Sequence, residues 1–321
     1  MSHWGEDTGY LHTLLLLPTI IKRNFQLSTK NNIFKIHSNL LEKFIGVLDG
    51  DGYIELGPQK QYNDSNTAKS TIRMRIVLRL HKDDKELLNL FMTTLKIGKL
   101  DELKSKNQYR LILFKTDIIN FIFPYLQNNN IEFLNYNRRK QYFLLKYIIE
   151  NNIKHWENIN LEEINNLFLK TNKKLDFTDI IKLPYFNNWL IGFTIAEGSF
   201  HIKARGTAHY SIVQSGHENY NLIKAIHYFI KGPSSFDHKI NPEDSKVYRI
   251  SFSSKTDLTF ILNFFEKNNL LGLKRIQFDN WKSYVIENDK IFSSAPNVLL
   301  PKISTNKELT NTNNNNEPRN E

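Results

Sequence analysis

The sequence predicts an α+β fold built as two similar halves. Three observations predict it: an ordered internal repeat, a strand with strict two-residue alternation, and two helices with small residues four apart on one face. The repeat has three landmarks. Phe44–Tyr53 (FIGVLDGDGY) matches Leu190–Ser199 (LIGFTIAEGS), with Phe200 one place beyond. Tyr109–Asp117 (YRLILFKTD) matches Tyr248–Asp257 (YRISFSSKTD), and Arg138–Tyr142 (RRKQY) matches Lys274–Phe278 (KRIQF). The offsets run 146, then 139–140, then 136. They shrink slowly and keep their order, as a duplicated unit with small loop deletions would give.

Each unit reads in the same order. A helix over 38–50 (184–197 in the second copy) leads into two strands near 52–60 and 70–81 (199–205 and 209–215). A helix follows Lys82 (Gly216), with Asp83 or His217–Glu218 in its first turn. Two more strands lie near 98–104 and 108–115 (234–240 and 247–253). Lys-Thr-Asp then opens another helix, with Thr or Asp as its N-cap. A last helix spans 138–151 (274–288). The expected organisation is an N-terminal extension over 1–36, a first half over 37–155, a polar and partly helical linker over 156–183, a second half over 184–290, and a tail over 291–321 that reads as disordered by composition.

Composition narrows the function. The 321 residues carry 43 Lys and Arg against 33 Asp and Glu, a net charge of +10. A basic surplus of this size points to a polyanionic partner, nucleic acid first, although a solvated surface gives the same sum. With no cysteine, disulfides, thiolate zinc sites and thiol nucleophiles are excluded. The longest apolar run, Leu14–Leu17 extended to Ile21, is broken by Pro18 and is far short of the ~20 residues that span a bilayer. No membrane partner is expected. The first ten residues carry acids and do not read as a targeting peptide. The heavy use of Asn, Lys, Ile, Leu, Phe and Tyr reflects codons poor in G and C, a bias common in organelle genomes. The histidines, His209, His217, His227 and His238 among them, show no metal spacing and read as surface or strand residues.

The chemistry concentrates in the first landmark. Gly46 and Gly50 lie four apart and share a helix face. Glycine costs ~1 kcal/mol in a helix interior, so two on one face imply a close neighbour. The second copy offers Gly192 and Ala196 at the same spacing, and the two small faces suit each other as a pseudo-twofold interface. Asp51 and Glu197 then fall at the C-terminal helix ends, where the macrodipole is unfavourable for an acid. Brought together they also repel. A divalent cation resolves both problems, since hard cations take carboxylate oxygens and keep several waters. Asp-Gly-Asp-Gly is also a turn signature. It resembles a calcium loop as well, but Lys60 stands where the twelfth-position acid counted from Asp49 is needed.

Both segments resemble the LAGLIDADG signature, and the double motif resembles the single-chain homing endonucleases and intron-encoded maturases. The resemblance covers roughly residues 37–290. It implies two αββαββα halves with saddle-shaped antiparallel sheets, and motif helices at their interface. It also implies that the last acids, Asp51 and Glu197, bind the metals: two or three divalent ions, magnesium by preference, beside Gly50 and Ala196. Thr194 and Ile195 depart from the signature, but Ile195 matches Asp49, a position not expected to hold metal. Lys274 matches a family context in which a lysine stabilises phosphate charge. Arg138 stands at the corresponding place, and a phosphate-positioning role fits either cation.

Thr71–His81 (TIRMRIVLRLH) alternates: Ile72, Met74, Ile76, Leu78 and Leu80 point one way, and Arg73, Arg75, Arg79 and His81 the other. Three arginines in a row on one exposed face repel each other unless an anion is expected. His201, Lys203 and Arg205 are expected to alternate in the same way in the second copy, and Gln214 follows a strand toward the centre. Paired strands of this kind fit the major groove, where Arg and Lys read guanine and Asn and Gln read adenine. The expected activity is sequence-specific cutting of double-stranded DNA by a monomer with magnesium, in the mitochondrial matrix. The alternative is a maturase that binds group I intron RNA, with or without DNA cleavage, and a further one a non-cleaving DNA-binding protein.

Overall fold

The computed structural model describes residues 31–59, 70–172, 175–232 and 247–288. The strand expected over 234–240, the tail over 291–321 and His238 lie outside the described residues. Helix α1 (Asn31–Asp51) begins inside the segment assigned to the N-terminal extension and runs directly into β1 (Gly52–Gln59). It is followed by β2 (Thr71–His81), α2 (Lys85–Leu95), β3 (Lys99–Leu103) and β4 (Gln108–Phe114). These four strands form an antiparallel sheet in the order β1-β2-β4-β3. The register places Glu55 opposite Arg75 and Arg79 opposite Arg110.

Strand β2 shows why this sheet has one covered face. Ile72, Met74, Ile76, Leu78 and Leu80 are all buried, as the alternation requires. After β4 the chain turns helical through α3 (Lys115–Asp117), whose Asp117 carboxylate accepts the Phe114 backbone N–H at 2.9 Å. A π-helical turn, Ile118–Ile122, leads into α4 (Phe123–Asn128). Pro124 sits at the start of α4 and has no N–H to offer the carbonyl four residues back, so the ladder widens just before it. Helix α5 (Tyr136–Glu150) closes the first half.

The connector is more helical than its composition suggests. It contains a short 3-10 turn (Trp156–Asn158), α6 (Leu161–Thr171) and α7 (Phe177–Ile180). Asn160 caps α6 by accepting the Glu163 N–H, and Phe168 anchors it against Tyr136 and Phe143, with centroids 5.6 and 5.3 Å away.

The second half repeats the order with α8 (Phe186–Glu197), β5 (Gly198–Ile202), β6 (Ala208–Ser215), α9 (Tyr220–Lys231), β7 (Val247–Phe252), α10 (Lys255–Lys267) and α11 (Gly272–Asn288). Its described strands pair β5-β6-β7. The cap of α10 is Ser254, one place before the expected Lys-Thr-Asp: its hydroxyl accepts the Asp257 N–H at 3.2 Å.

One expectation fails here. The alternation predicted through Arg205 ends at Ile202. Lys203 and Arg205 lie in an exposed hairpin turn closed by the Lys203 N–H on the Thr207 carbonyl (2.9 Å), with Gly206 at φ +80. A tight turn with a left-handed residue cannot continue a pleat. Ile202, which a continued alternation would put with Phe200 on the covered face, is 43% exposed, and Phe200 packs inward on Tyr210, Phe265, Phe278 and Trp281.

Helix α8 sits at the centre of the molecule. Trp189, Leu190, Ile191, Phe193 and Thr194 are each at most 1% exposed, and together with the buried Gly192 and Ile195 they occupy every side of the helix. A helix apolar all round has to be enclosed. Here α1 and the strands β5 and β6 of its own half pack around it, and the core residues of both halves form one cluster.

Candidate active site

The two motif helices, α1 and α8, meet backbone to backbone. A Cβ on Gly46 would stand 2.1 Å from the Trp189 carbonyl oxygen, and one on Gly192 would stand 1.9 Å from that of Lys43. One turn on, a Cβ on Gly50 would stand 2.3 Å from the Ala196 Cβ and 3.1 Å from the Glu197 Cγ. The small-residue faces read from the sequence are therefore the contact. Asp49 pins the crossing. It is fully buried, and its Oδ2 accepts the Trp189 indole N–H and the Leu134 backbone N–H, each at 2.7 Å. Its Oδ1 accepts the Asn135 N–H at 3.3 Å. Ile195 and Thr194, the departures from the signature, are both buried; Thr194 Oγ1 lies 2.7 Å from the Tyr210 hydroxyl.

This crossing brings Asp51 and Glu197 together at adjoining helix ends. Glu197 is pushed up to about 7, first by burial and then by the charge of Asp51, with Arg138 and Lys274 opposing. Asp51 keeps exposed surface, yet it too is raised. Desolvation is the main cause and Asp84 adds to it, while Lys274 and Arg138 pull the other way. Two desolvated carboxylates, one of them raised further by the charge of the other, are what a cation would relieve. Gly50 and Ala196 lie among the last four residues of their helices, whose carbonyls have no intrahelical partner. Among the described residues no group of three or more His, Cys, Asp or Glu gathers. A cation here would meet two carboxylates, backbone carbonyls and water. Magnesium accepts such a set, so the residues present fit it.

Two cations face these acids. Lys274, third residue of α11, donates from Nζ to the Gly198 carbonyl at 2.6 Å. Burial lowers its pKa, opposed by Asp84, Asp51 and Glu197. Arg138, third residue of α5, donates from Nε to the Leu48 carbonyl at 3.0 Å and from Nη1 to Gln141 Oε1 at 3.0 Å. Gln141 Oε1 also accepts the Ile54 N–H at 2.9 Å. Each cation thus ties its own half's last helix to the end of that half's motif helix.

The arginine row of β2 lies on the sheet face opposite Ile72, Met74, Ile76, Leu78 and Leu80, a face it shares with the buried Val77, and it is not unaccompanied. Glu55 on β1 lies 3.0 Å from Arg73 and 3.9 Å from Arg75. Arg75 also sits over the Phe114 ring, and Arg79 donates to the Tyr53 hydroxyl at 3.1 Å. The row therefore has less unrelieved repulsion than the sequence suggests. His81 is bound to the turn beyond the strand, 3.1 Å from the Asp83 carboxylate. His201 stacks on His209 across the β5–β6 pair, with centroids 5.4 Å apart. His209 is a strand residue, as read from the sequence: it lies on β6, 7% exposed, with Nδ1 3.1 Å from Ser251 Oγ. Gln214 Oε1 is buried and meets no hydrogen-bond partner among the described residues.

Sequence reasoning missed Asp84, Asn219 and the role of Asp49. Asp84 and Asn219 sit in the short turns that lead into α2 and α9. Only their polar character marked those turns.

The profile of a family described as LAGLIDADG endonuclease matches residues 44–149 and 190–285. The chain belongs to the LAGLIDADG endonuclease family. Relatives include the probable intron-encoded endonuclease aI3 of Dictyostelium discoideum, 25% identical, covering 75% of this chain and 94% of that one. The intron-encoded DNA endonuclease aI3 of Saccharomyces cerevisiae is 25% identical, covering 82% of this chain and 67% of its own length. Among solved structures, the LAGLIDADG homing endonuclease I-LtrWI bound to its target DNA is 17% identical with a TM-score of 0.57, covering 78% of this chain and 91% of that one. The LAGLIDADG meganuclease I-CpaMI bound to uncleaved DNA gives 18% and 0.55, covering 75% and 89%. These likenesses support the α+β fold of two halves. In this LAGLIDADG endonuclease the motif helices are α1 and α8, and the last acids of the two motifs are Asp51 and Glu197.

Proposed function

We infer that this LAGLIDADG endonuclease cuts double-stranded DNA at a specific sequence, as a single chain and with divalent metal. The observation that carries the reading is the apposition of Asp51 and Glu197 at two helix ends, with Lys274 and Arg138 beside them. Relatives named as intron-encoded endonucleases, and neighbours solved on DNA targets, support it. Asp51 and Glu197, with the carbonyls of Gly50 and Ala196, would hold the cations, magnesium by preference. When bound, such a cation supplies a Lewis acid and lowers the pKa of a bound water.

The chain's own groups do the rest. Lys274 and Arg138 present fixed positive charge to the phosphates, and charge that builds on a phosphate oxygen is stabilised most by donors already in place. Arg73, Arg75, Arg79, His81 and His201 stand on the sheet faces, and Lys203 and Arg205 at a hairpin tip; together they hold the duplex. Gln214 would read a base edge with its side-chain amide, which can both donate and accept. Two motifs in one polypeptide complete the pseudo-twofold interface, so no second copy is required. The compartment proposed is the mitochondrial matrix, in line with the residue bias and the relatives' genes.

A maturase that binds group I intron RNA without cutting has no need of two repelling carboxylates at its centre. The experiment is cleavage of a library of intron-flank DNA with magnesium, beside binding of the folded intron RNA. Specific double-strand cuts support the endonuclease. Tight RNA binding with no cutting supports the maturase.

A further inference from the structure

The turns that follow the second strand of each half reach across the molecule. Asp84 Oδ1 accepts the Leu273 backbone N–H at 2.9 Å, so an acid of the first half caps α11 of the second. Asn219 Oδ1 accepts the Tyr136 backbone N–H at 2.9 Å, so an amide of the second half caps α5 of the first. The two contacts are related by the same pseudo-symmetry as the motifs. Asn219 is 2% exposed, and its Nδ2 is held by the Ser215 carbonyl at 2.7 Å, which fixes the oxygen toward Tyr136. On the other side, Gly272 has φ +60, and a Cβ there would stand 2.6 Å from Asp84 Oδ1, so glycine leaves the space the carboxylate fills.

Each capped helix carries one of the two central cations within its first turn. Leu273 is followed directly by Lys274, and Tyr136 precedes Arg138 by two residues. A helix whose first N–H groups are fixed has its first-turn side chains fixed with them. We propose that Asp84 and Asn219 are positioning residues, each holding the cation of the opposite half at the centre, so that the two strands of a duplex are served by differently built supports: a carboxylate behind Lys274 and an amide behind Arg138. This rests on the endonuclease reading above.

The test follows each strand separately on an end-labelled duplex with magnesium. Asp84→Ala is expected to slow cutting of one strand by about tenfold and the other by less than about twofold. Asn219→Ala is expected to slow the opposite strand. Asp84→Asn keeps the acceptor oxygen and restores the balance. Gly272→Ala displaces Asp84 from the other side and reproduces the bias of Asp84→Ala, which covers the case of one variant failing to fold. Equal slowing of both strands by each variant overturns the proposal, because a merely structural role lowers both alike. If the unmodified chain cuts no DNA, the endonuclease reading fails, and amide exchange decides the positioning. Loss of protection confined to Leu273–Arg275 in Asp84→Ala, and to Tyr136–Arg138 in Asn219→Ala, supports it; no local change in either contradicts it.

Discussion

Gly46 and Gly192 set the distance between the two motif helices, each lying where a Cβ would strike a backbone carbonyl of the other helix. Side chains can rotate away from a clash, but a carbonyl inside a helix cannot. Overpacking typically costs ~1–3 kcal/mol, and more where nothing yields. Gly46→Ala and Gly192→Ala are each expected to lower unfolding stability by about 3 kcal/mol or more, read from the denaturant midpoint. A loss below about 0.5 kcal/mol would mean the helices are not held at this separation.

The carboxyl of Glu197 gives a pH dependence with a definite sign. It holds its proton up to about 7 in the folded chain, against a usual value of 4.5. Between those values the folded state binds more protons than the unfolded one, so stability falls as pH rises through that window. Asp49, fully buried and also pushed up to about 7, adds the same slope. In metal-free protein, Glu197→Gln should flatten the fall in melting temperature between pH 5 and 7 without abolishing it. Magnesium should raise the melting temperature most at the upper end. A Glu197→Gln profile parallel to that of the unmodified chain contradicts the assignment.

Glu55 gives a prediction opposite in sign to the usual loss. It pairs with Arg73 and Arg75 on the face proposed for DNA. Glu55→Gln should release both arginines and tighten DNA binding, most at low salt. Arg75→Ala should weaken binding and reduce the slope of log K against log salt by about one. Titrations at several salt concentrations measure both, and weaker binding by Glu55→Gln would show that the acid itself contacts the duplex.

Much of this was legible in the sequence because it is local and periodic. The alternation of β2 gave its buried face, and the four-residue spacing of Gly46 and Gly50 gave the helix contact. The Lys203–Arg205 alternation failed because a pleat and a tight hairpin turn are written in similar residues until Gly206 takes a positive φ. Asp49 looked like part of a turn signature, yet it joins α1 to Trp189 across 140 residues. Asp84 and Asn219 act across 189 and 83 residues. Contacts at such separations depend on how the halves dock, which no periodicity within either half records. The partners of the arginines were hidden likewise, because the register of β1 on β2 decides that Glu55 faces them.

The central claim is that Asp51 and Glu197 form one shared metal centre for cutting both strands. Its most direct test is cleavage of the target duplex by purified protein with magnesium, beside Asp51→Asn and Glu197→Gln. The account predicts specific double-strand cuts by the unmodified chain and a loss of at least about a hundredfold in each variant, with DNA affinity retained. Undiminished double-strand cutting by either variant would contradict it.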